Sequence, residues 1–201
     1  PVKAGKRSEL LRAELVQEGK TLLLCHVWTV SDMLPGLVHD DTQEELPDPE
    51  SVPTFEEQYP DEPSHPFFRH FEQRPIRGTP RKGEAARDPE LTGFYRFTPR
   101  AVAEDAFADA GRAIILMDTF GWLAQYPAHP TDGPSPWIAP NIDYHYRFHR
   151  PTSHADWLHM RVRAPVAENG LMATDGEIRD AQGRLLVTGS SQLMCLPRPG
   201  G

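Results

Sequence analysis

The sequence predicts an α+β protein in which a curved antiparallel sheet surrounds one central helix. A largely apolar stretch at residues 109–122 (DAGRAIILMDTFGW) has helical spacing. Four runs in which apolar and polar residues alternate follow it between residues 141 and 196, as antiparallel strands joined by hairpins require. A helix that is apolar nearly all round must be covered, so this helix and these strands are predicted to share one core.

Composition sets limits on function. The chain of 201 residues is long enough for one substantial core, and its net charge of −8 argues against nucleic acid as the main partner. No apolar run approaches the roughly 20 residues that span a membrane, and residues 1–12 lack the apolar core of a signal peptide. Cys25 and Cys195 lie in strand-like surroundings, which predicts buried free thiols in a reducing compartment and a cytoplasmic location.

The N-terminal region predicts a hairpin. Residues 6–16 and 21–30 have strand character, and Gly19 between them supplies the positive φ of a tight turn. Residues 37–42 are predicted to add a short third strand. Because no helix precedes these strands, we expect an exposed apolar face on residues 10–30, and an additional N-terminal segment with a strand and a helix in the native protein.

Residues 46–90 differ in character from the rest. Prolines recur throughout, which predicts a connecting segment without regular ladders or long helices. Its aromatic stretch at residues 65–71 (HPFFRHF) is too apolar for a free linker, so the segment is predicted to pack along the body of the protein.

Asp118 lies in the middle of the apolar helix. An ionised carboxylate is expensive to bury, so it requires hydrogen-bond partners or access to a water-filled site. Two interpretations stay open: a structural Asp that bonds neighbouring backbone, or a carboxylate held in a dry pocket to handle a proton.

Several short stretches occur in an order that resembles a known family. They are ILMD at 115–118, NID at 141–143, FHRP at 148–151, DWL at 156–158, and GRLLV at 183–187 followed by Ser191 and Gln192. Together they resemble the double hot-dog thioesterases, the acyl-CoA thioesterase II family and its thioesterase-like relatives. The resemblance implies a hot-dog fold, with residues 1–45 as a partial first unit, 46–90 as a Pro-rich connection and 91–201 as the second unit.

The resemblance also implies a site formed by Asp118, Asn141 and Gln192. In this family an Asp, a Ser or Thr, and a Gln hold the water that hydrolyses a fatty acyl-CoA thioester. Asn141 departs from the hydroxyl pattern, although its amide can donate and accept hydrogen bonds. Altered activity or an inactive site therefore stays open, as does a simple turn residue after Pro140.

Gln192 has its own alternative. It is in phase with Leu186 and Met194, but Val187 and Leu193 make the other face of the strand apolar too, so Gln192 on the surface stays open.

Other chemistry is disfavoured. His145 and His149 on one strand would be roughly 13 Å apart at ~3.3 Å per residue, too far to share a metal ion, and no G-x-S-x-G motif occurs. We therefore expect a thioester hydrolase without metal or other cofactor, acting on acyl-CoA and not on nucleic acid or membranes, with a homo-oligomer left open.

Two alternatives remain. A non-catalytic acyl-binding hot-dog protein is favoured if Asn141 cannot replace the hydroxyl. A hot-dog enoyl-CoA hydratase or dehydratase usually needs an Asp–His pair, and residues 105–126 contain no His. The layout also predicts one antiparallel sheet from residue 141 to 196, curved around the helix at 103–126 and continuous with the strands of residues 7–30.

Overall fold

The chain folds into two compact units in the computed structural model, Pro1–His39 and Asp40–Gly201. The structure describes residues 1–31, 34–40, 45–62, 65–80, 83–99, 105–130 and 135–198. Within these ranges, no helix has the length and apolar character needed to cross a membrane.

The N-terminal unit is a small antiparallel sheet. Its strands, in the order β1-β2-β3, are β1 (Lys3–Ala4), β2 (Ser8–Gln17) and β3 (Lys20–Val30). The turn between β2 and β3 has positive φ at Glu18 (50°) and Gly19 (76°), the pair of left-handed residues that a type I′ hairpin requires. The predicted hairpin and the role of its glycine are confirmed.

Two expectations for this unit were wrong. In the described ranges, the strands β1, β2 and β3 pair only with one another and form a sheet of their own, not an extension of a larger one. Residues 37–40 form no strand, and residues 41–42 lie outside the described residues.

The exposed apolar face predicted for residues 10–30 is present. At least half of the side-chain surface is exposed for several of its large apolar residues, namely Leu15, Val16, Leu22, Leu23 and Trp28. Such surface is unfavourable in water unless another molecule or segment covers it.

The described residues of the second unit form two α-helices and a six-stranded antiparallel sheet. The helices are α1 (Phe55–Gln58) and α2 (Ala106–Leu123). The strands are β4 (Phe71–Arg77), β5 (Glu90–Phe97), β6 (Trp137–Ile138), β7 (Asn141–Phe148), β8 (Leu158–Glu168), β9 (Leu171–Asp180), β10 (Leu185–Met194) and β11 (Leu196–Pro197). The six-stranded order is β4-β5-β8-β9-β10-β7, while β6 and β11 form a separate two-stranded ribbon.

Helix α2 packs against the middle of this sheet, on β8, β9 and β10. Its buried apolar residues Ala113, Leu116, Met117 and Phe120 recur at the three- and four-residue spacing of one helical face. The strands contribute a matching set of fully buried side chains, including Leu158, Met160, Ile178, Val187 and Leu193. The prediction of an antiparallel sheet around a central helix is confirmed.

The opposite face of α2 corrects one expectation. Ile114 and Ile115 are 37% and 40% exposed, and Phe107 is 67% exposed. The helix is therefore buried on one face, because the sheet covers only that side, and not nearly all round as its composition indicated.

The proline-rich segment holds a strand that was not expected. β4 pairs along β5 even though it contains Pro75, and the pairing shifts by one residue between Pro75 and Arg77. A proline is tolerated there because β4 is an edge strand with a single neighbour. The packing predicted for the aromatic stretch is confirmed, since the Phe68 and Phe71 rings lie 6.1 and 6.3 Å from the Phe120 ring.

The two cysteines are free thiols, as predicted. Both are half-buried and not buried, since Cys25 lies on the exposed β3 and Cys195 follows the end of β10. Partial burial raises the pKa of the Cys195 thiol.

Candidate functional site

Asp118 lies on the exposed face of α2. It follows Ile114 by one helical turn, whereas its neighbours Leu116 and Met117 point into the core. The expectation that Asp118 is buried was wrong, because the sheet contacts only the other side of the helix.

Two side chains of β7 donate hydrogen bonds to this carboxylate. The Asn141 amide donates through Nδ2 to Asp118 Oδ1 at 2.9 Å, and the Tyr144 hydroxyl donates to the same oxygen. No protein donor contacts Asp118 Oδ2 in the part of the chain that the structure describes. One oxygen is thus fixed by the protein, and the other is open to a water molecule.

A bulge in β7 allows this arrangement. Asp143 pairs with Gln192, but the next residue of β10, Leu193, pairs with Asn141, so Ile142 is an extra residue on β7. Regular alternation would place Asn141 and Tyr144 on opposite faces of the strand. The extra residue turns both toward Asp118.

The tyrosines beside Asp118 keep their protons at neutral pH. Partial burial, then the hydrogen bond and the charge of Asp118, raise the pKa of Tyr144. Burial followed by the charge of Asp118 likewise raises the pKa of Tyr146, whose ring stacks on Tyr144 at 5.7 Å. Tyr144 therefore acts as a hydrogen-bond donor to the carboxylate and not as a base.

Gln192 is not brought into this cluster. Its side chain is exposed and makes no hydrogen bond within the described residues, while its backbone N donates to Asp143 Oδ1 at 3.0 Å. Because side chains alternate along β10, Gln192 shares a face with Ser190 and lies opposite Ser191.

Ser191 is the β10 residue on the helix-facing side. It lies directly across from Tyr144, and its Oγ is 2.7 Å from Thr174 Oγ1 on β9. Thr174 in turn faces α2, since a Cβ added at Gly121 would lie 3.7 Å from its Oγ1. Tyr144, Ser191 and Thr174 were not predicted as site residues from the sequence, although the phase that Ser191 shares with the apolar Val187 and Leu193 was a usable signal.

Comparison with models of protein families shows the family of this chain. The model of the acyl-CoA thioesterase C-terminal domain matches residues 43–195, more than half of the chain. The protein belongs to this family. No curated protein matches the chain.

Solved structures support the fold. The chain is similar to a hot-dog protein of unknown function from Alicyclobacillus acidocaldarius, with 17% identity over 98% of this chain and 71% of that one and a TM-score of 0.77. It is also similar to the acyl-CoA thioesterase II TesB2 from Mycobacterium marinum. The two sequences are 17% identical, the match covers 100% of this chain and 73% of that one, and the TM-score is 0.74. A tesB protein from Mycobacterium avium subspecies paratuberculosis is 18% identical to this chain. That match covers 98% of this chain and 69% of the other, with a TM-score of 0.74. The predicted hot-dog fold is confirmed.

The buried carboxylate of α2 is not Asp118 but Asp109, at the start of the helix. Thr152 donates to it twice, from its backbone N at 2.9 Å and from its Oγ1 at 2.8 Å, and Arg112 Nη1 lies 3.5 Å away. Arg112 also donates to the carbonyl oxygens of Thr152 and Ala155, at 3.0 and 2.9 Å. The cluster ties the loop before β8 to the helix, which is a structural role.

The histidines have different surroundings. His145 is exposed on β7, and His149 is exposed just after this strand, with Nε2 3.0 Å from Thr188 Oγ1. His159 is buried on β8, with Nε2 at 2.9 Å from Thr92 Oγ1. Burial lowers the pKa of His159 to about 4, so it is neutral at physiological pH.

Proposed function

We propose that the protein is an acyl-CoA thioesterase that hydrolyses a fatty acyl-CoA with a water molecule activated by Asp118. The observation that carries the proposal is the asymmetric carboxylate: Asn141 and Tyr144 both donate to Oδ1, and Oδ2 has no protein donor among the described residues. A carboxylate held in this way has a fixed orientation and one oxygen available to accept a proton. Membership of the thioesterase family supports the reaction class.

The proposed reaction needs one base and one water. The water gives a proton to Asp118 Oδ2 while its oxygen attacks the thioester carbonyl carbon, which forms a tetrahedral intermediate. The intermediate collapses with cleavage of the carbon–sulfur bond, and the leaving thiolate takes the proton from Asp118. The products are a fatty acid and the free thiol of CoA, and the carboxylate is regenerated.

Asn141 and Tyr144 have positioning roles in this scheme. Asn141 stands where the resemblance expects a hydroxyl, and its amide orients Asp118. Tyr144 supplies the second donor from the same strand. Gln192 enters the proposal only through the resemblance, as a group that would hold the water, and separate substitution of Gln192 and Ser191 tests that part.

The surroundings of Asp118 are suited to an acyl substrate. Exposed apolar side chains lie near it on α2 and on β7, namely Ile114, Ile115 and Ile142. A fatty acyl-CoA substrate, a cytoplasmic location and a role in lipid metabolism are part of the proposal. So is the division into a partial first hot-dog unit at 1–45, a connection at 46–90 and a second unit at 91–201.

Release of free thiol from acyl-CoAs of graded chain length tests the proposal. Wild-type protein is expected to cleave at least one chain length, Asp118→Asn is expected to lose most of that activity, and Asp175→Asn is a matched control because it alters an exposed carboxylate on β9. Binding of acyl-CoA without cleavage would identify an acyl-binding protein instead, and addition of water to an enoyl-CoA would identify a hydratase.

A further inference from the structure

A cavity of about 350 Å³ lies in the second unit, away from Asp118. Its walls come from β4, β5 and the C-terminal half of α2, where Phe120 and Leu123 face it. In the sheet order, β4 and β5 form one edge and β7 the other, with β8, β9 and β10 between them. The cavity and the Asp118 cluster therefore lie at opposite edges of the same sheet.

Aromatic rings and prolines make up most of the cavity wall. The Tyr95 and Phe120 rings are in contact, with centroids 4.6 Å apart, and Phe68 and Tyr126 also line the space. A volume of this size falls in the range of about 300–1,000 Å³ that is typical of small-molecule sites, which are mostly apolar with a few placed polar groups.

Two polar side chains stand in this apolar wall. Gln73 and Tyr95 lie directly opposite each other in the pairing of β4 with β5, and they are only 7% and 3% exposed. Neither side chain makes a hydrogen bond to any residue that the structure describes. Neither contributes a polar atom that is both fully buried and unpaired among the described residues, so the Gln73 amide and the Tyr95 hydroxyl are open to the cavity, where they can bond a ligand.

Two of the neighbouring polar side chains are already engaged. The Tyr59 hydroxyl, which also lines the cavity, donates to the Thr79 carbonyl at 3.0 Å. Arg77 pairs with Asp88 and Glu90, at 3.3 and 3.2 Å, so its charge is matched by two carboxylates. The wall also includes the Glu62 carboxylate, which disfavours an anionic ligand, and the donors among the aromatic rings are the Gln73 amide and the Tyr95 hydroxyl.

We propose that this cavity is a second binding site, for a small uncharged aromatic compound that carries one carbonyl group. The ring packs against the aromatic wall formed by Phe68, Tyr95 and Phe120, and the carbonyl oxygen accepts hydrogen bonds from Gln73 Nε2 and Tyr95 Oη. Burial raises the pKa of Tyr95, so its hydroxyl keeps the proton that it donates. The site does not depend on the proposed hydrolysis at Asp118.

Binding of two matched probes to the full chain tests this inference. Acetophenone has the ring and the carbonyl, and ethylbenzene has nearly the same shape without the oxygen. Saturation-transfer NMR titrations are expected to show acetophenone binding at least about tenfold more tightly than ethylbenzene, the difference expected when buried donors are left unpaired.

Substitutions locate the effect. Tyr95→Phe combined with Gln73→Met removes both donors with little change in shape, and is expected to abolish the preference for acetophenone. Tyr95→Phe alone is expected to reduce it, and provides the test if the double variant does not fold. Gln125→Met changes a buried glutamine that lines a different cavity and is expected to leave the preference unchanged, as is Asp118→Asn. No acetophenone binding to the wild-type protein, or a preference that survives the double substitution, would overturn the proposal.

Discussion

Helix α2 carries two carboxylates with opposite surroundings. Asp109 is 4% exposed. Thr152 donates hydrogen bonds to both of its carboxylate oxygens, and Arg112 lies beside one of them. Asp118 is exposed, and both of its protein donors share a single oxygen. A carboxylate surrounded by donors holds parts of the fold together, whereas one with an open oxygen can take up a proton. The hydrogen-bond donors around each carboxylate, and not the residue type, therefore decide which role we assign to it.

The largest expected effect concerns activity at the exposed carboxylate. Asp118→Asn keeps the size of the side chain but removes the base, so the rate of thioester hydrolysis is expected to fall by about 10²–10⁴, or about 3–5 kcal/mol of barrier. The unfolding midpoint is expected to stay close to that of the wild type, because an exposed side chain contributes little to stability. Measuring kcat and the urea midpoint on one sample checks both. Full activity in a weakened fold would make Asp118 structural.

The buried carboxylate is expected to give the reverse result. Asp109→Asn removes the buried charge beside Arg112, so the free energy of unfolding is expected to fall by about 3–5 kcal/mol while the folded fraction keeps its specific activity. Equilibrium urea unfolding measures the loss, with Asp175→Asn as an exposed control expected to stay within about 0.5 kcal/mol of wild type. A stable but inactive Asp109→Asn protein would contradict the assignment of the two roles.

The sequence alone could not make this distinction. Both carboxylates fall in the same apolar stretch. Because Asp118 has the more apolar neighbours, the sequence indicated burial of Asp118, whereas Asp109 is the buried residue. What buries Asp109 is Thr152, a residue from a distant loop, and no local pattern announces that contact. Helical periodicity indicated which residues share a face, but not which face the sheet covers.

The strands were easier to predict than their edges and bulges. β7, β8, β9 and β10 follow from alternation and from hairpin turns, which are local properties. β4 was missed because Pro75 rules out an interior strand, and whether a strand is at an edge depends on the whole sheet. Asn141 was correctly brought next to Asp118, but Tyr144 was not foreseen, since it reaches the carboxylate through the bulge at Ile142.

The contrast between buried and exposed side chains also predicts how the stability of the fold depends on pH, through the buried His159 and the exposed His149. The pKa of His159 falls to about 4 in the folded protein from an ordinary value of 6.5, so the unfolded chain binds more protons between these pH values. Its neutral form supports the fold fully above about pH 6.5, and this support is lost as the pH falls toward 4. Since one pKa unit corresponds to about 1.4 kcal/mol, the loss amounts to up to about 3 kcal/mol.

Urea unfolding between pH 4 and 7 measures this dependence. His159→Gln is expected to flatten the stability curve over that interval, and His149→Gln, at an exposed position just after β7, is expected to leave its slope unchanged. An unaltered slope in His159→Gln would show that other groups govern acid sensitivity.

A smaller effect is expected from the second donor to Asp118. Tyr144→Phe removes one hydrogen bond to the carboxylate and leaves Asn141 in place, so kcat is expected to fall by about tenfold, in line with about 1–1.5 kcal/mol for a hydrogen bond. Tyr146→Phe is the matched control, because its ring stacks beside Tyr144 while its hydroxyl makes no hydrogen bond to a described residue. Equal losses in the two variants would show that ring packing, and not the hydrogen bond, supports Asp118.

The smallest expected effect separates two adjacent residues on β10. Strand alternation places Ser191 on the side of Asp118 and Thr174, and Gln192 on the other side, whereas the resemblance assigns the role to Gln192. Because a shift of one residue exchanges the two faces of a strand, the two assignments cannot both hold. If the geometry governs, Ser191→Ala lowers kcat/KM several-fold and Gln192→Ala changes it by less than about twofold, since an exposed side chain without partners contributes little. A larger loss in Gln192→Ala than in Ser191→Ala would show that Gln192, and not Ser191, serves the reaction.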